Sequence, residues 1–382
     1  MSKVLFILKY RENSDGSYSN GGLSSGLANS ARYVCDMLNA NGVEAVLEQV
    51  VDNNCIDRYV TLHKPTHVII EAYWVVPEKF EVLTRLHPNV IWIIRNHSEL
   101  PFLSSEGIAI DWTCRYVAYN NVMVSGNSPR VLGELKTMIK HSYPKWTREQ
   151  VEDRVWYLPN YYKPDIPARD KCLPESDIIN VGCFGAIRPL KNQLLQAVAA
   201  IQFCEKQRKT LYFHVNSTRI EGGSTANALK NLRALFAHTG KSGHKLIEHD
   251  WLDHDKFIDM LQKTIDIGMC VSHSETFCIV AADLVTSGIP IVVSEEVVWA
   301  SSLSKAEPNS SEDITRHLNS IWNYKRLGLS QRLNISGLNG YCKQTIKQWL
   351  SYFAPENVKK HDDRHDDKHD NRRKLVKGLL LL

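Results

Sequence analysis

Short apolar runs alternate with longer amphipathic stretches along most of the chain. Leu23, Leu27, Ala31, Val34 and Leu38 recur at helical spacing, and the apolar runs in the same region predict buried strands at Val4–Leu8, Ala45–Val51, His67–Ile70, Val90–Ile94 and Val155–Leu158. Strands that alternate with helical crossovers are typical of a parallel sheet covered on both faces. The pattern therefore predicts a doubly wound α/β domain over residues 1–162.

The alternation stops and then begins again. Residues 163–177 contain Pro164, Pro167 and Pro174 among charged groups, and a proline disfavours helix at the residue before it, so we interpret this stretch as a linker. A second α/β domain is predicted over 178–330, with strands at Ile178–Phe184, Thr210–Val215, Ile267–Val271 and Pro290–Val293. Its helices are predicted from Lys191 onward and at Ala226–Phe236, Lys256–Gln262 and Thr276–Ser287.

The last part of the chain changes character twice. Residues 331–354 have a helical pattern that places Ile346, Trp349 and Leu350 on one buried face. Residues 355–382 form a charged tail, which we predict to be disordered because residues 359–370 contain no apolar side chain. Histidines recur there every four residues and would suit nickel or zinc on one helical face, but solvated disorder is the favoured interpretation.

Composition fits a chain with more than one folded domain. The 382 residues exceed the roughly 250–300 that a single core supports. Hydrophobic residues at 43%, charged residues at 23% and a mean hydropathy of -0.29 exclude disordered, collagen-like and disulfide-scaffold proteins. The net charge of +4 permits an anionic partner without requiring one.

Cysteine usage and hydropathy bear on the compartment. Nine cysteines are scattered without a CxxC pair, and no secretory signal is recognised, so we predict reduced thiols and a cytoplasmic protein. No run approaches the roughly 20 apolar residues that span a bilayer, so at most peripheral membrane contact is predicted.

Candidate chemistry is expected in the loops after the strands, because ligands of open α/β sheets bind beyond the carboxyl ends of the strands. Gly21 and Gly22 follow the first strand and precede a helix, where the backbone could approach a phosphate; a flexible turn explains them equally well. Arg188 and Lys191 follow the first strand of the second domain. Cations at a helix N-terminus oppose the helix dipole, so an anion such as a pyrophosphate explains this pair better than a solvated helix start.

Two further segments carry acidic residues at suggestive spacings. Glu275 and Asp283 lie eight residues apart, about two helical turns, so both can border one cleft and accept hydrogen bonds from sugar hydroxyls. On spacing alone, a helix-terminal acid and a surface charge explain them as well. Asp253-His254-Asp255 has the D-x-D form of some metal sites, but it opens a helix, so a helix cap is favoured.

These segments together resemble the retaining GT-B glycosyltransferases of the clan that includes glycogen synthase and sucrose synthase, with a bacteriophage-type member as one possibility. The resemblance covers roughly residues 1–350. Val181–Asn192 is similar to the family's G-R-x-x-x-x-K-N segment, Glu275–Asp283 to its E-x7-E motif, Ala282–Val293 to the E-A-M-A-x-G-x-P-V-V run, Leu158–Tyr162 to I-P-N-G-V, and Gly21 with Gly22 to the glycine loop.

The resemblance implies a fold and a division of labour. Two Rossmann-like doubly wound domains would face each other across a cleft, the first binding the acceptor and the second the nucleotide-sugar donor. The helix at 331–354 would pack back on the first domain.

It also implies roles for individual residues. Arg188 and Lys191 would hold the donor diphosphate and stabilise the leaving group. Asp283 would accept hydrogen bonds from the ribose, and Gly21 and Gly22 would let the first domain close on the phosphates. His97 would lie beside the transferred sugar; a lone histidine is more often structural, but in this loop the functional interpretation is favoured. Glu275 and the backbone of Thr276, Phe277 and Cys278 would border the donor sugar.

This chain departs from the family pattern at three places. Aligned on Gly185 and Lys191, the family's arginine falls at Ala186, so Arg188 would be a displaced substitute. Where the family writes E-G-F-G, this chain has Glu275-Thr-Phe-Cys278, which implies a tighter sugar subsite. Asp283 stands where the family has glutamate and is one methylene shorter.

We therefore predict a retaining glycosyltransferase that needs no metal or other cofactor and in which the leaving phosphate takes the acceptor's proton. A UDP-sugar is the favoured donor, and a hydroxyl of a glycan or lipid-linked sugar is the favoured acceptor. Modified DNA bearing hydroxymethylated bases is the second acceptor hypothesis. A nucleotide-sugar epimerase, a phosphorylase, and a non-catalytic nucleotide-sugar-binding protein remain as alternatives.

Overall fold

All strands of the described residues belong to two parallel sheets. The computed structural model describes residues 2–9, 25–163, 176–220, 226–239, 242–324 and 327–358. The strands of the first sheet are β1 (Lys3–Lys9), β2 (Glu44–Val50), β3 (His67–Glu71), β4 (Ile91–Arg95), β5 (Val122–Gly126) and β6 (Val155–Tyr157). Those of the second are β7 (Ile178–Gly182), β8 (Thr210–Asn216), β9 (Lys245–His249), β10 (Ile267–Cys270) and β11 (Ile291–Val293).

Helices connect these strands and cover the sheets. In the first part of the chain they are α1 (Ser25–Ala40), α2 (Ile56–His63), α3 (Lys79–Leu86), α4 (Leu100–Leu103), α5 (Ala109–Tyr116), α6 (Pro129–Ser142) and α7 (Arg148–Arg154). In the second part they are α8 (Gln193–Gln207), α9 (Ala226–Thr239), α10 (His254–Thr264), α11 (Ile279–Thr286), α12 (Ser311–Asn323) and α13 (Leu329–Phe353).

The first sheet has the order β2-β1-β3-β4-β5-β6, with every pair parallel. Its central strands are buried on both faces, which explains why they read as continuous apolar runs: all five residues of Val4–Leu8 are buried. In register, Val4 pairs with His67 of β3, and His67 pairs with Ile91 of β4. The strand order reverses between β1 and β3.

The second sheet has the order β11-β10-β7-β8-β9 and is also parallel throughout. Its strand order reverses between β7 and β10. Ligands of open α/β sheets bind at such a reversal, beyond the carboxyl ends of the strands. The loops at 183–192 and 271–278, which follow β7 and β10, therefore occupy the position where this sheet is built to bind a ligand.

Helix α13 joins the cores of the two sheets. In its middle, Leu338 and Cys342 are buried among the side chains that cover the second sheet. Near its end, Trp349 is fully buried against the first sheet, with its ring centroid 6.0 Å from that of Phe6. The Trp349 indole N–H also donates to the carbonyl of Pro159, in the segment between the sheets, at 2.9 Å.

The observed elements extend and correct those predicted from the sequence. The α/β class with two parallel sheets is confirmed, but the apolar pattern does not predict β5 or β9. The helix predicted from Thr276 begins only at Ile279, and the one predicted from Lys191 begins at Gln193. In both cases a residue with left-handed backbone, Cys278 or Asn192, precedes the helix and turns the chain.

The chain beyond α13 stays helical for residues 355–358, within the segment predicted to be a disordered tail. Asn357 Nδ2 donates to the carbonyl of Asn41 at 3.0 Å, and Val358 packs against the buried apolar side chains of the first sheet and its helices. The predicted histidine repeat lies outside the described residues. Within those residues, the eight cysteines are free thiols, and no helix is long and apolar enough to cross a membrane.

The joining helix provides a stability test. A Cβ added at Gly337 would lie 2.1 Å from the carbonyl oxygen of Trp299, whereas one added at Gly340 would meet nothing within 4 Å. We expect Gly337→Ala to lower the free energy of unfolding by about 1–3 kcal/mol, because α13 must move off the Trp299 backbone. Gly340→Ala, the matched control, should raise it by about 0.5–1 kcal/mol. Urea unfolding measures the free energy of unfolding of both variants. Equal changes in Gly337→Ala and Gly340→Ala would contradict the close packing of Gly337 on Trp299.

Candidate active site

A cavity of about 200 Å³ lies between the two halves of the chain, at the strand-order reversal of the second sheet. The start of α1 contributes Gly26, Leu27 and Asn29 from the first half. The second half contributes the loops that follow β7, β8 and β9, together with the start of α10 and α11. From this half the lining includes Gly185, Ala186, Arg188, Lys191, Asn216, Arg219, Trp251, Leu252, His254, Phe257, Ile279, Val280 and Asp283.

The loop after β7 is shaped so that Lys191 points toward the loop after β10. Gly185 has φ +110, a conformation that side chains rarely adopt, and its N–H donates to Asn216 Oδ1 at 3.0 Å. Pro189–Lys191 forms one turn of 3-10 helix. Asn192 then ties the two loops together, because its Nδ2 donates to the carbonyls of Val271 (3.1 Å) and Pro308 (2.7 Å).

Lys191 and Glu275 form a buried ion pair. The Lys191 ammonium donates to Glu275 Oε1, and the two side chains are 13% and 8% exposed. Burial pushes the pKa of Glu275 upward, but the charges of Lys191 and Arg188 outweigh it and lower that pKa below its usual range. Burial lowers the pKa of Lys191, and the Glu275 charge more than restores it, so this pKa is raised. Both groups are therefore charged at neutral pH.

Arg188 lies at the junction of two pockets. It lines the 200 Å³ cavity together with Lys191, and it also lines a smaller pocket of about 40 Å³ that contains His97, Ser98 and Phe102. Its guanidinium carbon is 4.6 Å from the ring centroid of Phe102, a cation–π contact between the two halves. The displaced arginine thus shares a cavity with Lys191.

Asp283 is held by two partners that the sequence does not indicate. The side chain is buried on α11 and lines the 200 Å³ cavity. Its Oδ1 accepts from the Tyr162 hydroxyl and from His254 Nε2, both at 2.8 Å. The hydrogen bond to Asp283, which outweighs burial, raises the pKa of His254. The hydroxyl of Tyr33, on α1, lies 3.4 Å from His254 Nδ1.

The Asp253-His254-Asp255 segment differs from its predicted role. Asp253 occupies the position before α10, but its side chain makes no cap hydrogen bond to the helix. Its carboxylate lies 3.6 Å from the Lys256 ammonium instead. His254 turns into the cavity toward Asp283. Among the described residues, no group of three or more His, Cys, Asp or Glu side chains could hold a metal ion.

His97 lies across the cleft from Glu275 and lines the 40 Å³ pocket with it. Its Nε2 is bonded to the carboxylate of Glu71, at the end of β3. The hydroxyl of Thr276 donates to the His97 carbonyl at 3.2 Å and accepts from Asn127 Nδ2 at 3.1 Å. The Glu275 loop of the second half therefore rests directly on the His97 loop of the first.

A second contact between the halves supports the same loop. Arg130, on α6, is bonded to Glu99 of the first half at 3.1 Å and to Glu296 of the second at 3.0 Å. Glu296 Oε2 in turn accepts from the backbone N–H of Glu275 at 3.3 Å. Arg130 and Glu296 are distant in sequence, and no motif identifies them.

The remaining predicted donor-binding residues are placed differently. Phe277 is 2% exposed, its ring lies among the buried apolar side chains of β10, β11, α11 and α13, and its carbonyl accepts from the Trp299 indole at 2.8 Å. Cys278 is buried and supplies the left-handed turn before α11. Thr276 alone of the three lines the 40 Å³ pocket. Gly21 and Gly22 lie outside the described residues.

Two facing Rossmann-like sheets, with a ligand cavity between them at a strand-order reversal, define the GT-B fold. Solved structures of GT-B glycosyltransferases resemble the chain over nearly its whole length. A UDP-forming α,α-trehalose-phosphate synthase from Burkholderia xenovorans has a TM-score of 0.63 and 9% identity, over 94% of this chain and 99% of that one. A sucrose-phosphate synthase from Thermosynechococcus elongatus has a TM-score of 0.56 and 13% identity, over 98% and 100%.

A third structure comes from a study of glycosyl transfer with retention by trehalose-6-phosphate synthase. Its TM-score is 0.60 and its identity 10%, over 93% of this chain and 99% of that one. No protein-family model and no curated protein matches the sequence. At these identities the likeness establishes the fold.

The buried ion pair can be tested by removing its cation. We expect Lys191→Met to lower the free energy of unfolding at pH 7 by about 3–5 kcal/mol, because Glu275 is left as an unpaired buried charge. Lys191→Met combined with Glu275→Gln should be less destabilised than the single variant. Lys263→Met removes an exposed pair with Asp259 and should change stability by less than about 1 kcal/mol. Urea unfolding measures all three.

The effect of Lys191→Met should also depend on pH in one direction. The folded-state pKa of Glu275 is depressed, so the stability it contributes is fully present above the unfolded value of about 4.3 and is lost as the pH falls through the folded pKa. The stability difference between wild type and Lys191→Met should therefore shrink in acid. If the difference in free energy of unfolding between the two proteins stays constant from pH 7 to pH 3, Lys191 and Glu275 do not form the buried ion pair described.

Proposed function

We propose that this protein is a retaining glycosyltransferase that moves a sugar from a UDP-sugar to a hydroxyl group without a metal ion. The observation that carries the proposal is the convergence of Lys191, Arg188 and Asp283 on one cavity between two Rossmann-like halves. Two cations and a carboxylate are the groups that a diphosphate and an adjacent ribose require. The GT-B fold and neighbours that include a UDP-forming synthase support it.

The diphosphate is assigned to Lys191 and Arg188. Arg188 offers a fork of N–H donors and Lys191 a compact charge, a combination that suits the oxygens of a pyrophosphate. The Lys191 ammonium donates a hydrogen bond to Glu275. A bound diphosphate would compete with this carboxylate for the ammonium, which would leave Glu275 beside the donor sugar to accept its hydroxyl hydrogens.

The ribose is assigned to Asp283. Both Tyr162 and His254 bond to its Oδ1, so Oδ2 can accept a hydrogen bond from a ribose hydroxyl. His254 lines the same cavity and, with its pKa raised, carries a positive charge over a wider pH range than an exposed histidine. The shorter side chain at this position is thus supported by a neighbouring imidazole.

The chemistry follows from where negative charge develops. As the bond between the anomeric carbon and the phosphate oxygen breaks, charge accumulates on the leaving diphosphate, and Lys191 and Arg188 stabilise it. Lys191 and Arg188 would thus supply the positive charge that a metal ion supplies in metal-dependent glycosyltransferases. In our proposal the departing phosphate takes the proton of the acceptor hydroxyl on the face it has just left, which retains the anomeric configuration without a protein nucleophile.

The acceptor is assigned to the 40 Å³ pocket next to Arg188. His97, Ser98 and Glu99 supply polar groups there and Phe102 an apolar ring face, a combination that suits the hydroxyl groups and the apolar face of a sugar. We propose a sugar hydroxyl as acceptor, as in a glycan or lipid-linked sugar. The trehalose-phosphate and sucrose-phosphate synthases among the neighbours support a sugar acceptor. Modified DNA remains an arm of the acceptor test.

The donor assignment is tested with a panel of UDP-, GDP- and ADP-sugars. We expect transfer or slow hydrolysis with a UDP-sugar, an α-configured product from an α-configured donor by NMR, and no loss of rate in EDTA. Arg188→Met should reduce kcat by about 10²–10³, because one of two groups that stabilise the leaving charge is removed. The control Lys263→Met, an exposed surface change on α10, should leave the rate unchanged.

The panel separates an enzyme from a binding protein and from a protein that binds no nucleotide. Binding of UDP without turnover of any donor would favour the non-catalytic nucleotide-sugar-binding alternative. No binding of any nucleoside diphosphate by calorimetry would contradict the proposal. With the donor fixed, sugars, lipid-linked sugars and duplex DNA with hydroxymethylated bases are compared as acceptors; labelling of DNA alone would replace the sugar acceptor with the DNA hypothesis.

A further inference from the structure

A fully buried carboxylate lies behind the pocket assigned to the acceptor. Glu71, the last residue of β3, is 0% exposed, as is Arg95, the last residue of β4. Glu71 Oε1 accepts from Arg95 at 3.1 Å, and Glu71 Oε2 is bonded to Nε2 of His97. One carboxylate therefore holds both an arginine and a histidine, and only His97 reaches the pocket.

We propose that Glu71 and Arg95 are positioning residues that keep His97 neutral with its proton on Nε2, so that Nδ1 accepts a hydrogen bond from a sugar hydroxyl. The hydroxyl partner rests on the proposed function. The protonation state of the His97 ring is independent of that function, because it follows from contacts within this chain.

The charge balance around Glu71 fixes the state of the ring. The carboxylate is already neutralised by Arg95, so a protonated His97 would place a second cation on a single buried anion. Burial lowers the pKa of His97, and the nearby Arg95 lowers it further, against an opposing effect of Glu71. The pKa of Glu71 is itself lowered against the effect of burial, and the charge of Arg95 is the largest of the lowering influences. Glu71 is thus the anion and His97 the neutral partner.

The tautomer follows from which nitrogen faces the carboxylate. An ionised carboxylate only accepts hydrogen bonds, so Nε2 must carry the proton that it shares with Glu71. In a neutral ring the other nitrogen then has a lone pair. Within the described part of the chain, no hydrogen-bond partner is found for Nδ1 of His97. Such a nitrogen can accept from a hydroxyl and cannot donate to one.

Arg95 is anchored so that it cannot leave Glu71. Its Nε and Nη2 donate to the carbonyls of Leu158 and Pro159, each at 3.3 Å, and Nη2 also donates to Asn160 Oδ1 at 2.7 Å. Its guanidinium carbon lies 5.2 Å from the ring centroid of Trp349 on α13. The segment that joins the two sheets therefore fixes the charge beside His97.

Other charged groups also face His97 and belong in this balance. Across the pocket lie Arg188, Glu275 and Glu99. Glu275 is paired with Lys191, and Glu99 with Arg130, so neither carboxylate is left to attract a proton to His97. Arg188 adds a positive charge and acts in the same direction as Arg95.

The test observes the ring directly in the unliganded full-length protein labelled with ¹⁵N-histidine. Long-range ¹H–¹⁵N spectra between pH 5 and 8 report the protonation of each ring nitrogen, and His97→Asn identifies the His97 signals. We expect a protonated Nε2, an unprotonated Nδ1, and no change above about pH 6.5, the ordinary histidine value. A proton on Nδ1, or a doubly protonated ring at pH 7, would overturn the proposal.

A variant tests the part played by Arg95. Arg95→Met removes the competing cation and leaves Glu71 to His97 alone, so the pKa of His97 should rise by about one unit or more, at least about tenfold in the ratio of protonated to neutral ring. A role limited to packing predicts no such rise. If Arg95→Met does not fold, the wild-type spectra alone still decide the tautomer.

The catalytic readout separates this proposal from the proposed function. With a UDP-sugar, kcat/KM of wild type should not change with the state of His97 from pH 6.5 to 8, whereas in Arg95→Met it should fall as His97 gains a proton. Transfer that proceeds with His97 doubly protonated refutes the inference and leaves the function intact. The predicted tautomer without any sugar transfer refutes the function and leaves the positioning of His97 intact.

Discussion

The common direction of the strands decides where this molecule can bind a ligand. In each sheet every strand pair is parallel, so all carboxyl ends of a sheet share one edge, and the loops that leave this edge are the parts of the chain free to vary. Lys191, Glu275 and Arg188 all lie in such loops of the second sheet, and His97 lies in one of the first. A single constraint of backbone geometry thus brings together residues almost 180 positions apart.

Contacts between the halves depend on this arrangement as well. Thr276 reaches the His97 carbonyl, Phe102 packs under Arg188, and Arg130 connects Glu99 with Glu296. Each of these contacts touches a residue next to the cavity or the loop that carries Glu275. Helix α13 and the segment at 158–163 join the same halves on the side of their cores. The position of the Glu275 loop is therefore sensitive to how the halves meet.

The sequence predicts the fold well where burial is uniform. Strands buried on both faces read as unbroken apolar runs, as Val4–Leu8 does, and the α/β class follows from their alternation with helices. Strand β9 is missed because it lies at the sheet edge and mixes charged with apolar residues. Strand β5 is buried, and the Ser128-Pro129 helix start that follows it was an available signal.

The candidate site divides in the same way. Lys191, Glu275 and Asp283 could be selected from the sequence, because all three match a spaced motif: Lys191 and Glu275 lie in loops that follow strands, and Asp283 lies on the helix after the Glu275 loop. His254, Glu71 and Arg130 could not, because each acts through a partner on a different element: Asp283, His97 and Glu296 respectively. Such pairs are fixed only when helices and strands pack, and no spacing in the chain encodes them.

The ion pair of Lys191 with Glu275 has a consequence for selectivity. The carboxylate is a counter-ion tethered within the site, so it competes with any incoming anion at a high effective concentration that solution phosphate does not match. A lone inorganic phosphate gains only the contacts it takes from Glu275. In our proposal a nucleoside diphosphate would also gain contacts along the rest of the cavity, toward Asp283, and these would offset the free energy of displacing Glu275. We therefore expect the Glu275 carboxylate to weaken the binding of small anions such as inorganic phosphate to Lys191.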